Sequence, residues 1–418
     1  MKYKRNLLLY MFGRFISYTG TGIQQVALPL YILDVTHSGI MMGIFSAVNL
    51  VPNIIALPFA GILGDRKSRK NIMMASDYVR GIFVLLLGYL AMNGSLNIVF
   101  LFTLQVFISI MDSIFNASST AILPELVEED ELMKGIAARG GVDAVSMIIG
   151  PSIGGIIYGV FGIKTVFCLN GITFIISGIC CTLIAYANKD RNLGILTFKS
   201  FFTENSDVFY FIKKNRALLQ LFSLALVTNF LVAPLFDIVL PYVVKKGIGF
   251  SSQQYGYLIS FFTFGILLGN ILMGTCLVKF SRKLIMKNSL VFQAIILFMF
   301  PAAVFPITVN YLGGHSMELF MLLAGIMFLG GFFNSGLNTP LNTNLQEMVP
   351  NRMRSRFFSV LGIFGQGAIP LGSLIYGILL DRFHYFCILM VVMSVVFIIT
   401  LVFIKKAVPE VYEPKKTF

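Results

Sequence analysis

One carboxylate lies in the middle of a long apolar run between residues 97 and 122. Four polar residues of this run recur at the spacing of a helix and would share one of its faces; they are Gln105, Ser109, Asp112 and Asn116. A charge at mid-bilayer costs about 2.5–3.5 kcal/mol on insertion scales, and burial favours the protonated form of a carboxyl group. Asp112 is therefore a candidate for carrying a proton or binding a substrate. The alternative is a structural carboxylate that accepts a hydrogen bond from a neighbouring helix.

Three other apolar runs contain polar side chains that could line a cavity. Asp237 lies between two prolines, and Gln24 and Gln25 stand near the corresponding place in the first run. A polar stretch around residues 334–344 contributes Asn334 and Asn338. Each has a simpler interpretation: a water-exposed acid near the outer surface for Asp237, and hydrogen bonds between helices for the amides.

Two further sets of charged residues lie within or beside apolar runs. Asp143 follows Arg139 by four residues, so an ion pair along one helix is the simplest interpretation. Asp77 and Arg80 stand near the start of another run, where we expect them to pair between helices close to the inner surface.

The composition indicates that these apolar runs lie in a membrane. The chain has 418 residues, of which 57% are hydrophobic and 12% charged, and its mean hydropathy is +0.84. Soluble domains are about 25% charged. The apolar runs reach roughly 20 residues, the length of a helix that crosses a bilayer, and are too long for the strands of a barrel. The sequence predicts an all-α integral membrane protein.

Twelve membrane spans are predicted. They lie near 8–33, 40–63, 72–92, 97–122, 138–161, 164–187, 217–244, 252–276, 285–308, 316–342, 355–380 and 384–404. The predicted organisation is an N-terminal six-helix bundle over 1–187, a cytoplasmic linker over 188–216, a C-terminal six-helix bundle over 217–404 and a cytoplasmic tail over 405–418.

The distribution of positive charge predicts the orientation. The chain has 32 Lys and Arg residues and a net charge of +13, and nearly all of these residues fall on one side of the predicted spans. Those assigned to the outer side are Lys164, Lys245, Lys246 and Arg382. Because cytoplasmic loops carry the excess of Lys and Arg, both termini are predicted in the cytoplasm, with the protein in the inner membrane. Topology accounts for the charge, so no nucleic-acid partner is expected.

The two halves of the chain repeat each other. The segment Gly61–Lys70 recurs in degraded form as Gly274–Lys283. Further matches join Leu28–Tyr31 to Leu240–Tyr242, Gly154–Gly159 to Gly372–Gly377, and the surroundings of Glu125 to those of Glu347. Two similar six-helix halves around a shared cavity are the layout of a transporter.

These motifs resemble those of the major facilitator superfamily. The first repeated segment is similar to its signature between spans 2 and 3, and the matched residues are Gly61, Asp65, Arg66, Arg69 and Lys70. Residues 150–155 in span 5 resemble the core of the antiporter signature of its exporter branch. Residues 12–17 and 121–127 resemble the macrolide-efflux and enterobactin-exporter group. The resemblance implies two pseudo-symmetric bundles that export a drug-like or amphipathic molecule by alternating access.

The resemblance also implies that the loop between spans 2 and 3 gates transport. Its glycines permit close approach of helices, its acid can lie at a helix N-terminus, and its arginines can pair with an acid after span 4. The residues are Gly61, Gly64, Asp65, Arg66, Arg69, Lys70 and Glu125. The second copy has Val278 where the first has Asp65, so a weaker latch that relies on Glu347 is expected. Its other residues are Gly274, Lys279, Arg282 and Lys283. Positive-inside topology alone is the alternative explanation for the basic residues.

The segment in span 5 is expected to form a close helix contact. Pro151 removes a backbone donor, and Gly150, Gly154 and Gly155 would let another helix, expected to be span 8 of the other half, approach the backbone. Such a seam could restrict leak during transport. The alternative is ordinary packing of small residues between membrane helices.

The predicted function is proton-coupled efflux of a small molecule by a secondary transporter, with protons and the lipid bilayer as partners. The sequence has no GxxxxGK[ST] motif, no nucleophile-and-base set that indicates an enzyme, and no metal-binding pattern around its 3 His residues. No cofactor and no metal are expected, and the chain is expected to act as a monomer. Two alternatives stay open: an importer of a sugar, amino acid or peptide, and a non-transporting sensor or lipid-handling protein on the same fold.

Overall fold

The computed structural model describes residues 2–128, 131–185, 206–314 and 316–414. Within these ranges, it does not describe the side chains of residues 2, 3, 61, 62, 64–66, 278, 351, 352 and 355. The helices are α1 Lys2–Thr36, α2 Gly39–Arg66, α3 Arg69–Met92, α4 Ile98–Leu126, α5 Leu132–Leu183, α6 Ser206–Lys214, α7 Arg216–Leu231, α8 Ser252–Thr275, α9 Arg282–Ala303, α10 Pro306–Tyr311, α11 Met317–Met348, α12 Asn351–Arg382, α13 Tyr385–Lys406 and α14 Pro409–Tyr412.

The described helices account for the twelve predicted spans. Ten helical segments are long and apolar enough to cross a membrane. One of them is α5, whose 52 residues contain two predicted spans. The remaining span is α1, which is long enough with 35 residues but carries polar side chains such as Gln24 and Gln25 in its apolar run. The protein is an all-α membrane protein of two repeated halves.

Gly162 separates the two spans within α5. Its backbone has φ 74° and ψ −179°, whereas the residues on either side are helical. Glycine adopts positive φ at no steric cost, so the chain reverses here without a polar loop. This break lies between the predicted spans 138–161 and 164–187.

The seventh predicted span is less regular than its apolar pattern suggests. The helix α7 ends at Leu231, and wide helical turns follow at Leu235–Val239 and Val243–Ile248. Pro234 and Pro241, which lack a backbone donor, flank the first of these turns. Asp237 lies within it, and such widened turns occur often at functional sites.

The described chain forms two compact units. Unit 1 comprises Met1–Val35 and Ala47–Phe201, and unit 2 comprises Thr36–Ser46 and Phe202–Phe418. The start of α2 belongs to unit 2 because Asp381 at the end of α12 accepts hydrogen bonds from the backbone of Gly39 at 2.5 Å and Ile40 at 3.1 Å. A carboxylate is favourable at a helix N-terminus. The sequence instead predicted a division of the chain only at the linker over 188–216, which places the start of α2 in the N-terminal bundle.

Glycines bring helices into close contact in both units. In unit 1, a Cβ at Gly171 of α5 would lie 3.1 Å from the backbone nitrogen of Leu85 on α3. In unit 2, a Cβ at Gly331 of α11 would lie 1.9 Å from the carbonyl oxygen of Phe262 on α8. Larger residues at these positions would force the helices apart, so the glycines fix where each helix lies beside its neighbour.

Candidate functional site

A cluster of three charged residues lies inside unit 1. Arg80 on α3 donates one hydrogen bond to Asp112 on α4 and another to Asp77, one turn earlier on its own helix. Ser177 on the second span of α5 donates to the other oxygen of Asp77 at 2.7 Å. The cluster, hereafter the Arg80 cluster, therefore connects three membrane spans and has one net negative charge when both carboxyl groups are ionised.

The members of the Arg80 cluster differ in their access to solvent. The side chains of Asp77 and Arg80 are 0% and 3% exposed, whereas that of Asp112 is 22% exposed. The rings of Phe115 and Phe174 cover the guanidinium of Arg80, each with its centroid 4.3 Å from Cζ. Asp112 is thus the member that water or a ligand can reach.

The sequence identified Asp112 but not its partner. We expected Asp77 and Arg80 to pair between helices near the inner surface; Arg80 does pair across helices with Asp112, and it also pairs with Asp77 on its own helix. Three charges inside neighbouring apolar runs were the available signal. To identify Arg80 as the partner of Asp112, one must know how α3 is rotated about its axis relative to α4. The sequence pattern does not provide that rotation.

Gln105 and Ser109 occupy hydrogen bonds between helices. Gln105 donates to the Asn49 carboxamide on α2 at 2.9 Å and accepts from Gln24 on α1 at 3.4 Å. Asn170 on α5 donates to Gln24 in turn, and Ser109 donates to the carbonyl of Asn49. The exposures are 4% for Gln105 and 1% for Ser109, and both side chains are engaged in hydrogen bonds between helices.

Asn116 belongs to a second charged cluster of unit 1. Tyr18 on α1 donates to Asn116 at 2.6 Å, and the guanidinium of Arg14 lies over the Tyr18 ring at 4.1 Å. Arg14 donates two hydrogen bonds to Asp143, at 2.5 and 2.9 Å. Arg139, the partner expected for Asp143, is 3.9 Å away. The expected ion pair along one helix is therefore present, but Arg14 from α1 reaches Asp143 more closely and is its main partner.

The loop between α2 and α3, which was expected to gate transport, places its described basic residues against helix ends. Arg69 donates to Glu125 at 3.0 Å and to the carbonyl oxygen of Ala121 at 2.7 Å. Lys70 donates to the carbonyl oxygen of Thr182 at 2.8 Å. The predicted side chains at Gly61, Gly64, Asp65 and Arg66 lie outside the described part of the structure.

The corresponding loop between α8 and α9 forms an ion pair with two hydrogen bonds. Arg282 donates to both oxygens of Glu347, at 2.8 and 2.9 Å, and to the Asn344 carboxamide at 3.2 Å. Lys279 and Lys283 are exposed, and a Cβ at Gly274 would meet nothing within 4 Å.

The predicted tail contacts the end of α11 beside this loop. Asn344 donates to the carbonyl oxygens of Val411 and Tyr412 at 2.9 and 3.0 Å. These two tail residues are 0% and 2% exposed. Sequence reasoning missed this contact because a short segment after the last span has no pattern that indicates where it docks. Burial raises the pKa of the Tyr412 phenol.

The glycines of the span 5 segment pack within their own unit. A Cβ at Gly150 would lie 2.9 Å from Cα of Gly22, and one at Gly154 would lie 2.6 Å from the carbonyl oxygen of Ile23. Their partner is α1, so the expectation that these two glycines face span 8 was wrong. Gly155 is also buried, and α5 stays helical through Pro151.

An apolar cavity lies inside unit 2, between α7, α8, α9, α11 and α13. It is small, with a volume of about 60 Å³, and it is partly open. Asn334 from the predicted polar stretch lines it, whereas Asn338 is exposed and donates to Asn334 at 3.0 Å. Asp237 is partly buried and lies next to Phe236, which also lines the cavity. Gln25 of α1 in unit 1 is exposed.

Comparison with known proteins decides the family. The family model described as Major Facilitator Superfamily matches residues 10–237 and 222–418, which is nearly the whole chain. The chain belongs to the major facilitator superfamily. It is therefore a multi-pass membrane transporter rather than an enzyme, and a small molecule is its substrate.

Its relatives in this superfamily include exporters. It is 22% identical to macrolide efflux protein A of Streptococcus pyogenes over 90% of both chains. It is 20% identical to the staphyloferrin A transporter of Staphylococcus aureus over 88% of both chains. It is 25% identical to multidrug resistance protein MdtG of Proteus mirabilis over 53% of both chains.

Solved structures share the superfamily fold. The nucleoside transporter NupG matches with a TM-score of 0.76 at 12% identity, over 96% of this chain and 98% of that one. The D-xylose–proton symporter matches with a TM-score of 0.69 at 15% identity, over 100% of both chains. At these identities the likeness establishes the fold alone.

Among the residues that the structure describes, no three His, Cys, Asp or Glu side chains come together as a metal site.

Proposed function

We propose that this transporter exports a lipophilic small molecule across the inner membrane in exchange for protons, with Asp112 as the proton carrier. The observation that carries the proposal is the Arg80 cluster. It holds a carboxyl group that is 22% exposed against an arginine that is 3% exposed, inside a membrane bundle. The names of the relatives, macrolide efflux and multidrug resistance, favour efflux over uptake.

The unequal exposure of the cluster suggests how a proton is handled. Arg80 stays charged and remains paired with Asp77, which solvent does not reach. A proton that arrives at a carboxylate oxygen of Asp112 neutralises it and weakens its ion pair with Arg80. Loss of that proton restores the pair. The cluster therefore has two states that differ by one proton on an accessible oxygen, which is what coupling requires.

The membrane potential would supply the driving force. Each proton that moves inward gains about 2.3 kcal/mol per 100 mV, enough for roughly a fortyfold concentration of an uncharged substrate. In this proposal residues 1–187 alternate against residues 217–404, and the cytoplasmic pairs Arg69–Glu125 and Arg282–Glu347 break and reform during the cycle.

The test is proton release from acid-loaded inverted vesicles on addition of candidate substrates, beginning with macrolides and lipophilic cations. The native chain is expected to release protons when substrate is added, and the Asp112→Asn variant is expected to give none. Asparagine keeps the shape and one hydrogen-bond acceptor of the side chain, so the variant is expected to fold. Thermal unfolding of the purified variant checks this.

Asp143→Asn is the matched control. It also removes a carboxylate from an ion pair with a buried arginine of unit 1, Arg14, but at the other cluster. We expect it to retain proton release. Release from Asp112→Asn vesicles equal to that of the native chain would exclude Asp112 as the carrier. Uptake of substrate coupled to proton entry would replace export with import.

A further inference from the structure

A cleft lies on the side of unit 2 that is predicted to face the cytoplasm. Its walls come from α6, the turn into α7, the end of α11 and the tail. It has a volume of about 600 Å³, within the range of about 300–1,000 Å³ that is typical of ligand pockets. It shares no lining residue with the small apolar cavity among the spans.

Both walls of the cleft are held in place by the rest of unit 2. The helix α6 packs against α7 and α12 and buries Val208 and Ile212, at 0% and 4% exposure. The tail is docked at Asn344, and the backbone nitrogen of Val408 donates to Gln220 on α7 at 3.0 Å. The cleft is therefore a feature of the folded unit and needs no rearrangement to admit a ligand.

The charged residues of the cleft are two cations and one acid. Lys214 and Arg216 are exposed, and within the described part of the chain neither pairs with an acid, while Glu410 pairs with no cation. Asn215 between the cations caps α7, because its carboxamide oxygen accepts from two backbone nitrogens in the first turn of that helix at 3.1 and 3.2 Å. The cleft thus has one net positive charge on a fixed backbone.

The rest of the lining is apolar and lies near the predicted membrane surface. It consists of Phe211, Ala217, Met348 and Val408. Ala217 is the first residue of the seventh predicted span, and Val408 follows the predicted end of the last span, at 404, by four residues. The headgroup region adds roughly 5–8 Å on each side of the hydrocarbon, so the cleft lies at the level of lipid headgroups. A ligand with one anionic group and apolar chains matches this lining.

We propose that the cleft binds the headgroup of an anionic phospholipid of the cytoplasmic leaflet, of the phosphatidylglycerol type. The phosphate lies between Lys214 and Arg216, whose guanidinium can hold two phosphate oxygens. The headgroup hydroxyls donate to Glu410, and the upper acyl chains lie against Phe211. This inference goes beyond the proposed function and does not rest on it.

Glu410 determines which headgroup fits. A phosphodiester has a single negative charge, which matches the net charge of the cleft. Phosphatidic acid has a phosphomonoester with a charge of about −1.5 to −2 at neutral pH, and the acid would repel it. A choline headgroup has no hydrogen-bond donor for the carboxylate of Glu410. Phosphatidylglycerol is therefore expected to bind more tightly than either of these lipids.

The sequence contains no tryptophan, so a single introduced tryptophan reports on the cleft without background. Phe211→Trp places the reporter on the cleft wall. Tyr311→Trp, at an 87% exposed position on the side predicted to be outer, is the control. Dihexanoyl phosphatidylglycerol is added to the purified full-length protein in dodecyl maltoside. We expect a saturable emission change from Phe211→Trp only, and the same response at both positions would overturn the proposal.

Two other ligands identify the source of the phosphate. Glycerophosphoglycerol has the same headgroup without acyl chains, and dihexanoyl phosphatidylcholine has the same chains with another headgroup. We expect both to bind at least tenfold more weakly than dihexanoyl phosphatidylglycerol. Equal binding of glycerophosphoglycerol would assign the cleft to a soluble phosphodiester, and equal binding of the choline lipid would show that the headgroup is not recognised. Either result overturns the proposal.

A pair of double variants separates the cleft from general surface charge. In the Phe211→Trp background, Lys214→Gln with Arg216→Gln is expected to weaken binding tenfold or more. Lys213→Gln with Lys405→Gln removes the same charge from residues outside the lining and should change binding less than twofold. All four side chains are exposed, so the variants should fold, which the midpoint of thermal unfolding checks. Equal weakening in both double variants would overturn the proposal.

Glu410→Gln provides a test by gain of binding, which misfolding cannot imitate. The substitution removes the charge that repels a dianion and the acceptor for the headgroup hydroxyls. We expect dihexanoyl phosphatidic acid to bind at least threefold more tightly than to the native residue, and dihexanoyl phosphatidylglycerol to bind more weakly. An unchanged preference between the two lipids would overturn the assignment of the headgroup to this cleft.

Discussion

Arg80 lies at 2% exposure between two carboxylates and two aromatic rings, a position that only a permanently charged, planar cation can hold. Its attraction to Asp77 and Asp112 offsets the cost of removing Arg80 and Asp77 from water. Breaking a buried pair by removing one partner is costly because the other charge is left without compensation. The identity of residue 80 therefore governs whether Asp77 can remain ionised inside the bundle.

This predicts a strong effect of Arg80→Gln. The substitution leaves Asp77 buried at 0% exposure without its cation, and we expect it to destabilise the purified protein by about 3–5 kcal/mol, seen as a lower midpoint of thermal unfolding. Adding Asp77→Asn to this variant should restore much of the loss. A further drop in the double variant would show that Asp77 is not the group that Arg80 stabilises.

At the residue level, the sequence pattern singles out residues that contradict their surroundings. Asp112 could be identified because an acid in an apolar run is costly. The pairing of Arg14 with Asp143 could not, because the two residues lie 129 positions apart and the nearer Arg139 satisfied the helical rule. Local spacing favours neighbours on one helix, whereas burial favours the partner that can reach from another.

At the scale of helices, glycine sets the distance between α1 and the first span of α5. The backbone atoms of Thr19, Gly22 and Ile23 approach so closely that a methyl group on α5 would overlap them. A glycine makes the same kind of close contact in unit 2, where a Cβ at Gly372 of α12 would lie 2.1 Å from the carbonyl oxygen of Phe230 on α7. Equivalent helices of the two repeats thus pack through the same kind of contact.

Gly154→Ala should therefore separate α1 from α5. Its Cβ would lie 2.6 Å from the carbonyl oxygen of Ile23, and such overpacking costs about 1–3 kcal/mol. We expect a lower unfolding temperature in detergent. Gly141→Ala is the control on the same helix, because a Cβ there meets nothing within 4 Å. If the two variants unfold together, the contact at Gly154 does not limit stability.

The order and length of the helices followed from apolar runs, but their irregularities did not. The runs predicted spans 5 and 6 and a boundary near Gly162, where glycine permits the positive φ. They gave no indication of the wide turns around Asp237 or of the tail that docks at Asn344. Hydropathy reports burial in lipid and is insensitive to which hydrogen bonds a helix keeps.

For the whole molecule, the charge distribution predicts an orientation that labelling can test. In a variant without its 5 cysteines, Ser95→Cys in the exposed connection between α3 and α4 should react with a membrane-impermeant maleimide in intact cells. Lys67→Cys, exposed between α2 and α3, should react only after permeabilisation. The opposite pattern would reverse the predicted topology. Labelling of both cysteines in intact cells would indicate leaky membranes, and labelling of a cytoplasmic marker protein is the check for leakage.

The unequal filling of equivalent positions has an evolutionary consequence. Aligning Arg69 with Arg282 and Glu125 with Glu347 shows that the second repeat has Gln293 and Asn334 where the first has Arg80 and Asp112. After duplication, one copy can retain the charged pair while the other accumulates substitutions that reshape its interior. A lineage built this way can change the polarity of one repeat while the ionisable residues of the other stay in place.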